Sequence, residues 1–356
     1  MRFLPTDEQA DFARTLRSLL GSADVPAAVR AWSGGAFEPG RALWAEVART
    51  GLPALAVPEA YGGLGVLVPE LCLGFVELGR AGVPGPVVET AAVAALLTEL
   101  AERGEGGPAG RFLPALASGG ATATLTVPGG GPYALDADAA AYCFTVSEAG
   151  ELRLAPAPDG PPARSTDPAR RLSRPGPGGE LLAAGPRVTA AAGAAALRAR
   201  LLTAAQCLGA GEALLARTVA YAKQRTQFGT PIGAFQAVKH RLADTLLGLE
   251  FARPLVRAAA LTLDPGDVAA AKLTAGESCY RAAMSALQLH GAVGYTEELD
   301  LSLWLRKARP LRDAWGAPAA CRADVLRARD ARAAAMGADI GELSGAAARA
   351  AVPSGP

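Results

Sequence analysis

One segment combines residue types that could hold a nucleotide. Arg225, Gln227 and Phe228 lie in a connection where a long helical pattern ends, and Gly229 and Pro231 predict a tight turn there. An arginine can bind a phosphate, while an amide and an aromatic ring can hydrogen-bond or stack on a heterocycle. The alternative is an ordinary corner between two helices with a surface arginine. Both interpretations stay open on the pattern alone.

A second segment follows the next long helical pattern. It contains Gln288, His290, Gly291 and Gly294, and the helix that begins near residue 266 is predicted to end at Gly291. The two glycines would allow a ligand to approach the backbone closely. The alternative for the histidine is a local role, in which it caps the carbonyl groups at the end of the helix.

These segments must be positioned by three zones of different composition. Residues 1–116 carry helical periodicity, opening with a predicted cap at Thr6, and residues 187–336 are again helical. Residues 117–186 contain short runs typical of strands, bounded by Gly and Pro, and predict a small β domain. The tail, 337–356, is predicted to be a short helix or disordered. The order helical, β, helical fits neither an alternating α/β sheet nor a plain bundle.

The composition excludes several classes of function. The 356 residues carry a net charge of +1, which argues against electrostatic binding of nucleic acid or of an acidic membrane surface. Five scattered cysteines form no Cys-x-x-Cys motif, and two histidines are too few for a histidine-rich metal site. No apolar run is long enough to cross a membrane. We therefore expect a cytoplasmic protein with neither a metal nor a membrane partner.

The two segments resemble signature regions of the acyl-CoA dehydrogenase family. Residues 225–236 read Arg-x-x-Phe-Gly-x-x-Ile-x-x-x-Gln, and residues 288–295 are similar to Gln-x-x-Gly-Gly-x-Gly-Tyr. Residues 305–309 resemble a third piece, Leu-x-Arg-Asp-Ala-Arg, and residues 58–65 resemble the family loop Pro-Glu-x-Tyr-Gly-Gly-x-Gly. The resemblance covers residues 3 to about 330. It implies an acyl-CoA dehydrogenase-like fold, with an N-terminal α-helical domain, a small middle β domain and a C-terminal four-helix bundle.

The resemblance also implies an FAD site at a subunit interface. In the family, the first motif reaches the flavin nucleotide of a neighbouring subunit, and the second lies on the adenosine diphosphate part. A loop of the β domain contacts the isoalloxazine ring, but here it keeps Thr126 and Pro128 and lacks the family's Glu and Ser. The cofactor-binding residues implied in this way are Arg225, Gln227, Phe228, Gln236, Gln288, His290, Gly291 and Thr126.

The chemistry of the family requires a base that this sequence lacks. A glutamate takes the α-proton of an acyl thioester while the β-hydride passes to the flavin, giving an α,β-unsaturated acyl-CoA. Counting from Arg306 places Trp315 at the usual position of that glutamate, and the position used by some members holds Ala199. Two substrate-site residues are implied nevertheless, since Arg200 matches an arginine near the acyl group and Gly316 is retained. No catalytic residue is therefore identified.

Several explanations remain for the missing base. Our leading prediction is a dehydrogenase subunit that works with a Glu-bearing paralogue, as in two-chain members that act on steroid side-chain CoA esters. A displaced carboxylate, with Asp313 as the candidate, would instead allow a homo-oligomeric flavoenzyme. Two further explanations are different chemistry, such as an oxygenase or a carrier-protein-linked oxidation, and a non-enzymatic structural partner. The implied partners are an acyl-CoA or acyl-carrier thioester and an electron-transfer flavoprotein.

Overall fold

The computed structural model describes residues 4–158 and 160–350, with side chains described as far as residue 335. The chain begins with a helical domain. Thr6 starts its first helix with a capping box, in which the Thr6 hydroxyl accepts from the Gln9 amide and the Gln9 side chain accepts from the Thr6 amide. The helices of this domain are α1 (Asp7–Ser22), α2 (Val25–Ser33), α3 (Glu38–Arg49), α4 (Val68–Ala81), α5 (Val87–Glu102) and α6 (Gly107–Ala117).

The middle domain is a small sheet of short strands. In the four-stranded sheet the order is β1-β3-β4-β6, with β1 parallel to β3 and the other pairs antiparallel, while β2 and β5 form a separate pair. Phe144 is fully buried and packs edge-on against Phe112 of α6, which joins the sheet to the helical domain. The strands are β1 (Ala123–Thr126), β2 (Ala134–Leu135), β3 (Tyr142–Val146), β4 (Glu151–Leu154), β5 (Leu172–Ser173) and β6 (Glu180–Ala184).

The C-terminal domain is built on one central helix of 39 residues, α7 (Pro186–Gln224). It packs against α4 and α5 of the N-terminal domain and against α8, α9 and α10 of its own domain. Gly209 of α7 lies so close to the Val76 carbonyl of α4 that a Cβ atom would overlap it, so the helix crossing requires glycine there. The remaining elements are β7 (Thr226–Gln227), β8 (Thr230–Pro231), α8 (Gln236–Thr262), α9 (Pro265–His290), α10 (Leu301–Asp313) and α11 (Pro318–Ala350).

The predicted fold class is confirmed, with helical domains on either side of a small β region. Two local expectations need adjustment. The turn predicted at Gly229 and Pro231 is centred on Phe228 and Gly229, both with positive φ, and Pro231 lies in β8. The helix α11 continues through the expected start of the tail at residue 337, while 351–356 lie outside the described residues. Within the described part of the chain, no helix is both long and apolar enough to cross a membrane.

Candidate active site

In the loop after α10, the backbone of Trp315 and of Gly316 adopts positive φ angles. Trp315 has φ +55° and Gly316 has φ +142°. A Cβ atom on Gly316 would lie 2.9 Å from both Arg200 Nε and Cys321 Sγ, so the loop needs glycine for space as well as for conformation. Arg200 Nε donates to the Trp315 carbonyl at 2.9 Å. The two predicted substrate-site residues, Arg200 and Gly316, are therefore brought together.

A buried lysine donates hydrogen bonds to the backbone of the same loop. Lys272 of α9 is 1% exposed, and its Nζ donates to the Arg312 carbonyl at 2.6 Å and to the Gly316 carbonyl at 3.2 Å. Burial lowers the pKa of the Lys272 ammonium group. On the other side, Arg200 pairs with Asp324 of α11 at 2.6 Å. The backbone of the loop is thus tied to α7, α9 and α11.

The Trp315 ring reaches across to the N-terminal domain. Its Nε1 donates to Oε1 of Glu89, in the first turn of α5, at 2.9 Å. The Glu89 residue is 3% exposed, and its second oxygen, Oε2, is buried without a hydrogen-bond partner in the described structure. Both residues line a cavity of about 270 Å³, together with Thr126, Arg170 and other residues of the β domain. A carboxylate therefore lies beside the position where the family base is expected.

Sequence reasoning missed Glu89, although a signal was present. Glu89 is the single charged residue in the otherwise apolar or small run 87–98, and an acid in such a run is either paired or functional. The carboxylate that was predicted as a displaced base, Asp313, lies outside the lining of the cavity. Its side chain is 41% exposed and pairs with Arg309 and Arg312.

The predicted nucleotide-binding residues fall at one end of the C-terminal bundle. The strands β7 and β8 form a hairpin directly after α7, and its turn residue Phe228 is 94% exposed with φ +55°. Arg225, Gln227, Gln236 and Gln288 are also exposed. An exposed aromatic ring held in a strained backbone conformation is typical of a functional position. We call residues 225–236 the arm.

His290 is placed differently from the rest of this set. It is buried, its Nδ1 lies 2.8 Å from the Ala286 carbonyl, and its ring stacks on Tyr221 with centroids 4.1 Å apart. Burial lowers the pKa of the His290 imidazole, which favours the neutral ring. The stacking joins the ends of α7 and α9, so the arm and Gly291 share one end of the bundle. His290 thus supports this end of the bundle from within rather than presenting its ring outward.

The two sets of predicted cofactor residues are separate in this chain. Thr126 lines the 270 Å³ cavity, whereas the described lining of that cavity includes no residue of the arm or of 288–291. The volume lies at the lower edge of the range of about 300–1,000 Å³ that small ligands occupy. It admits a ring system or an acyl group and is too small for a whole dinucleotide. The residues thus fit FAD in two parts, a ring against the β domain and a nucleotide on an exposed arm.

Comparisons with known proteins agree with this architecture. The family description "Acyl-CoA dehydrogenase, N-terminal domain" matches residues 6–120, and "Acyl-CoA dehydrogenase, C-terminal domain" matches residues 189–329. The chain is 35% identical to the acyl-CoA dehydrogenase IpdE2 of Mycobacterium tuberculosis over 306 residues, which cover 85% of this chain and 92% of that protein.

Solved structures show the same fold. The ChsE4-ChsE5 complex from Mycobacterium tuberculosis has a TM-score of 0.77 at 25% identity, with 94% of this chain and 99% of that chain covered. Butyryl-CoA dehydrogenase from Megasphaera elsdenii has a TM-score of 0.78 at 23% identity, with 92% and 99% covered. On the sequence matches and the shared fold, the chain belongs to the acyl-CoA dehydrogenase family of FAD-dependent oxidoreductases.

Proposed function

We propose that the chain is a subunit of an FAD-dependent dehydrogenase that forms α,β-unsaturated acyl-CoA thioesters together with a Glu-bearing partner chain. The observation that carries the proposal is the separation of the arm from the cavity, combined with Trp315 at the base position. An exposed arm of Arg225, Gln227 and Phe228 is suited to a nucleotide bound to a neighbouring subunit. The ChsE4-ChsE5 complex supports it, since a chain of the same fold assembles there with a differently named chain.

In this proposal the chain's own residues have distinct tasks. FAD supplies the oxidation when it is bound. The guanidinium group of Arg225 would neutralise its diphosphate, and the Phe228 ring would cover the nucleotide heterocycle. In the alternative arrangement, with the flavin ring in this chain's own cavity, Thr126 would contact the ring, and the apolar side chains of Leu125 and Val127 would keep water from it.

The proposed substrate, electron acceptor and cellular compartment follow from the same family. The substrate is an acyl thioester carried by CoA or a carrier protein, electrons leave to an electron-transfer flavoprotein, and the protein acts in the cytoplasm. All five cysteines are free and buried, which supports a reducing compartment. Lipid or steroid acyl groups are the substrate classes to test first, because a solved steroid ACAD, Tcur3481-Tcur3483, has the same fold with a TM-score of 0.78 at 25% identity.

The test compares the chain alone with the chain co-expressed with a Glu-bearing paralogue. We would measure the FAD-to-chain ratio by absorbance and the mass by light scattering. We expect about one FAD per two chains in a mixed assembly, and loss of that flavin on Arg225→Ala. The matched control is Arg329→Ala, an exposed arginine of α11 whose ion-pair partner among the described residues is the adjacent Asp330. One FAD per chain in a homo-oligomer would contradict the proposal.

A second candidate is a homo-oligomeric flavoenzyme with a displaced base. The buried carboxylate of Glu89 beside Trp315 favours it over an oxygenase, a carrier-protein-linked oxidation or a purely structural role. Turnover of an acyl thioester by the flavin-loaded chain alone would identify this function. A purified assembly without flavin in either sample would instead favour a non-enzymatic structural partner.

A further inference from the structure

The wall of the 270 Å³ cavity also bounds a second, much smaller space. This inner chamber has a volume of about 20 Å³, and three residues line both spaces, namely Glu89, Leu135 and Arg170. A space of this size holds a single water molecule, which needs polar partners to stay there. The polar side chains around the chamber are those of Glu89, Asp136, Arg170, Gln206 and Lys307.

Two carboxylates that line the inner chamber are buried and incompletely hydrogen-bonded. Glu89 Oε1 accepts from Trp315, and Asp136 Oδ1 accepts from Trp32 Nε1 at 3.2 Å and from the Arg171 amide at 3.1 Å. Oε2 of Glu89 and Oδ2 of Asp136 are both buried without a partner among the described residues. Burying a carboxylate oxygen without a partner costs free energy. Such an atom therefore usually binds a water molecule or has a functional role.

The nearby cations, Lys307 and Arg170, do not supply the missing hydrogen-bond partner of either carboxylate. Lys307 is committed to Asp167, with Nζ 2.8 Å from Oδ2, and both residues are buried. Arg170 lines both spaces, and its charge acts on Asp136 and lowers the pKa of that carboxyl, against the larger opposing effect of burial. A carboxylate that borders the substrate-sized cavity, has one unpartnered oxygen and backs onto a polar chamber is placed to accept a proton.

We propose that Glu89 is the proton acceptor of this chain's own cavity and that Trp315 positions it. The inference rests on the proposed thioester chemistry and concerns this chain's cavity rather than the partner's site. The carboxylate oxygen forms an O–H bond as the α C–H bond of the thioester breaks. The electron pair of that bond moves onto the thioester carbonyl as an enolate, and the reverse step returns a proton to carbon. No oxidant or reductant is consumed.

The test follows this redox-neutral step directly. Butyryl-CoA and octanoyl-CoA are incubated in D₂O with the purified full chain, alone and in its assembly with the partner's base glutamate changed to glutamine. Deuterium at the α-carbon is measured by mass spectrometry. We expect exchange above the buffer rate and a loss of about 10²–10⁴-fold on Glu89→Gln. The amide oxygen can still accept from Trp315, so this variant is expected to fold.

Further variants distinguish the proposed roles of Glu89 and Trp315 from purely structural ones. Glu89→Asp keeps the carboxylate but shortens it, so it should retain exchange at a reduced rate, whereas Asp313→Asn should leave the rate unchanged. Trp315→Phe keeps an aromatic ring but loses the donor. A positioning role predicts a fall in the maximal exchange rate with little change in the half-saturating thioester concentration. Exchange that is absent in the unmodified chain, or unaffected by Glu89→Gln, would overturn the inference. Because exchange needs no flavin turnover, this result is independent of the FAD ratio that tests the proposed function.

Discussion

Trp315 Nε1 donates a hydrogen bond of 2.9 Å to Glu89 Oε1, which links the loop after α10 to the first turn of α5. The two residues are 226 positions apart in the sequence. Their contact is also the point where the N-terminal domain closes the cavity against the C-terminal bundle. The bridge therefore contributes both to the stability of the domain interface and to the environment of the carboxylate.

The first prediction concerns the stability of this bridge. Trp315→Phe removes the donor and leaves both oxygens of the Glu89 carboxylate without a partner, so we expect the free energy of unfolding to fall by about 2 kcal/mol beyond the loss of ring volume. Urea unfolding measures this. The matched control is Trp44→Phe, because the buried Nε1 of Trp44 has no hydrogen-bond partner in the described structure. Equal losses in the two variants would show that the hydrogen bond contributes nothing.

The second prediction is a pH dependence that originates at Asp136. Burial raises the pKa of Asp136 from 3.8 to about 7, although Trp32, the Arg171 amide and Arg170 oppose the rise and Glu89 adds to it. The folded state then holds a proton that the unfolded state releases. The stability from this group is complete below pH 4 and is lost as the pH rises to about 7, by at most about 1.4 kcal/mol per pH unit.

Asp136→Asn tests this dependence. Asparagine keeps the acceptor for Trp32 and tolerates the φ of +52° found at this position. The variant should lose less stability than the unmodified protein between pH 4 and 7, as measured by urea unfolding at several pH values. Parallel pH profiles for the two proteins would contradict the assignment.

The third prediction concerns the lysine beneath the loop. Lys272→Met removes a charged donor from the Arg312 and Gly316 carbonyls, so we expect about 2 kcal/mol of destabilisation and faster amide exchange in the loop around Trp315. Urea unfolding and hydrogen exchange measure the two effects. Lys239→Met, at an exposed lysine of α8, is the control and should change the stability by less than about 0.5 kcal/mol. Unchanged exchange in the loop would mean that other contacts hold it.

The fourth prediction separates stability from cofactor binding at Phe228. Phe228→Asn should leave the free energy of unfolding within about 0.5 kcal/mol, because the ring is 94% exposed and asparagine accepts a positive φ. The flavin content of the purified assembly should nevertheless fall. Leu64→Asn replaces another exposed apolar residue, in the N-terminal domain, and should keep its flavin. Equal flavin content in both variants would remove Phe228 from the proposed nucleotide site.

Much of the fold could be predicted from local patterns. The cap at Thr6, the end of α7 before Arg225 and the end of α9 before Gly291 are determined by side chains within a few residues of each boundary. The order of the three zones followed from composition, and the motif spacing indicated the family. The turn at Phe228 was displaced by one or two residues because a non-glycine residue adopts the left-handed conformation there.

The candidate site depended on contacts between distant residues. The sequence alone predicted Trp315 at the position of the family base, Arg200 and Gly316 as substrate-site residues, and the motif that forms the arm. Only the tertiary structure brought Glu89 of α5 to Trp315, placed Asp313 outside the cavity and turned His290 inward against Tyr221. The physical reason is that burial and partnering of a charged group are set by the packing of α5, α10 and the β domain, whereas a motif records only the spacing along one chain segment.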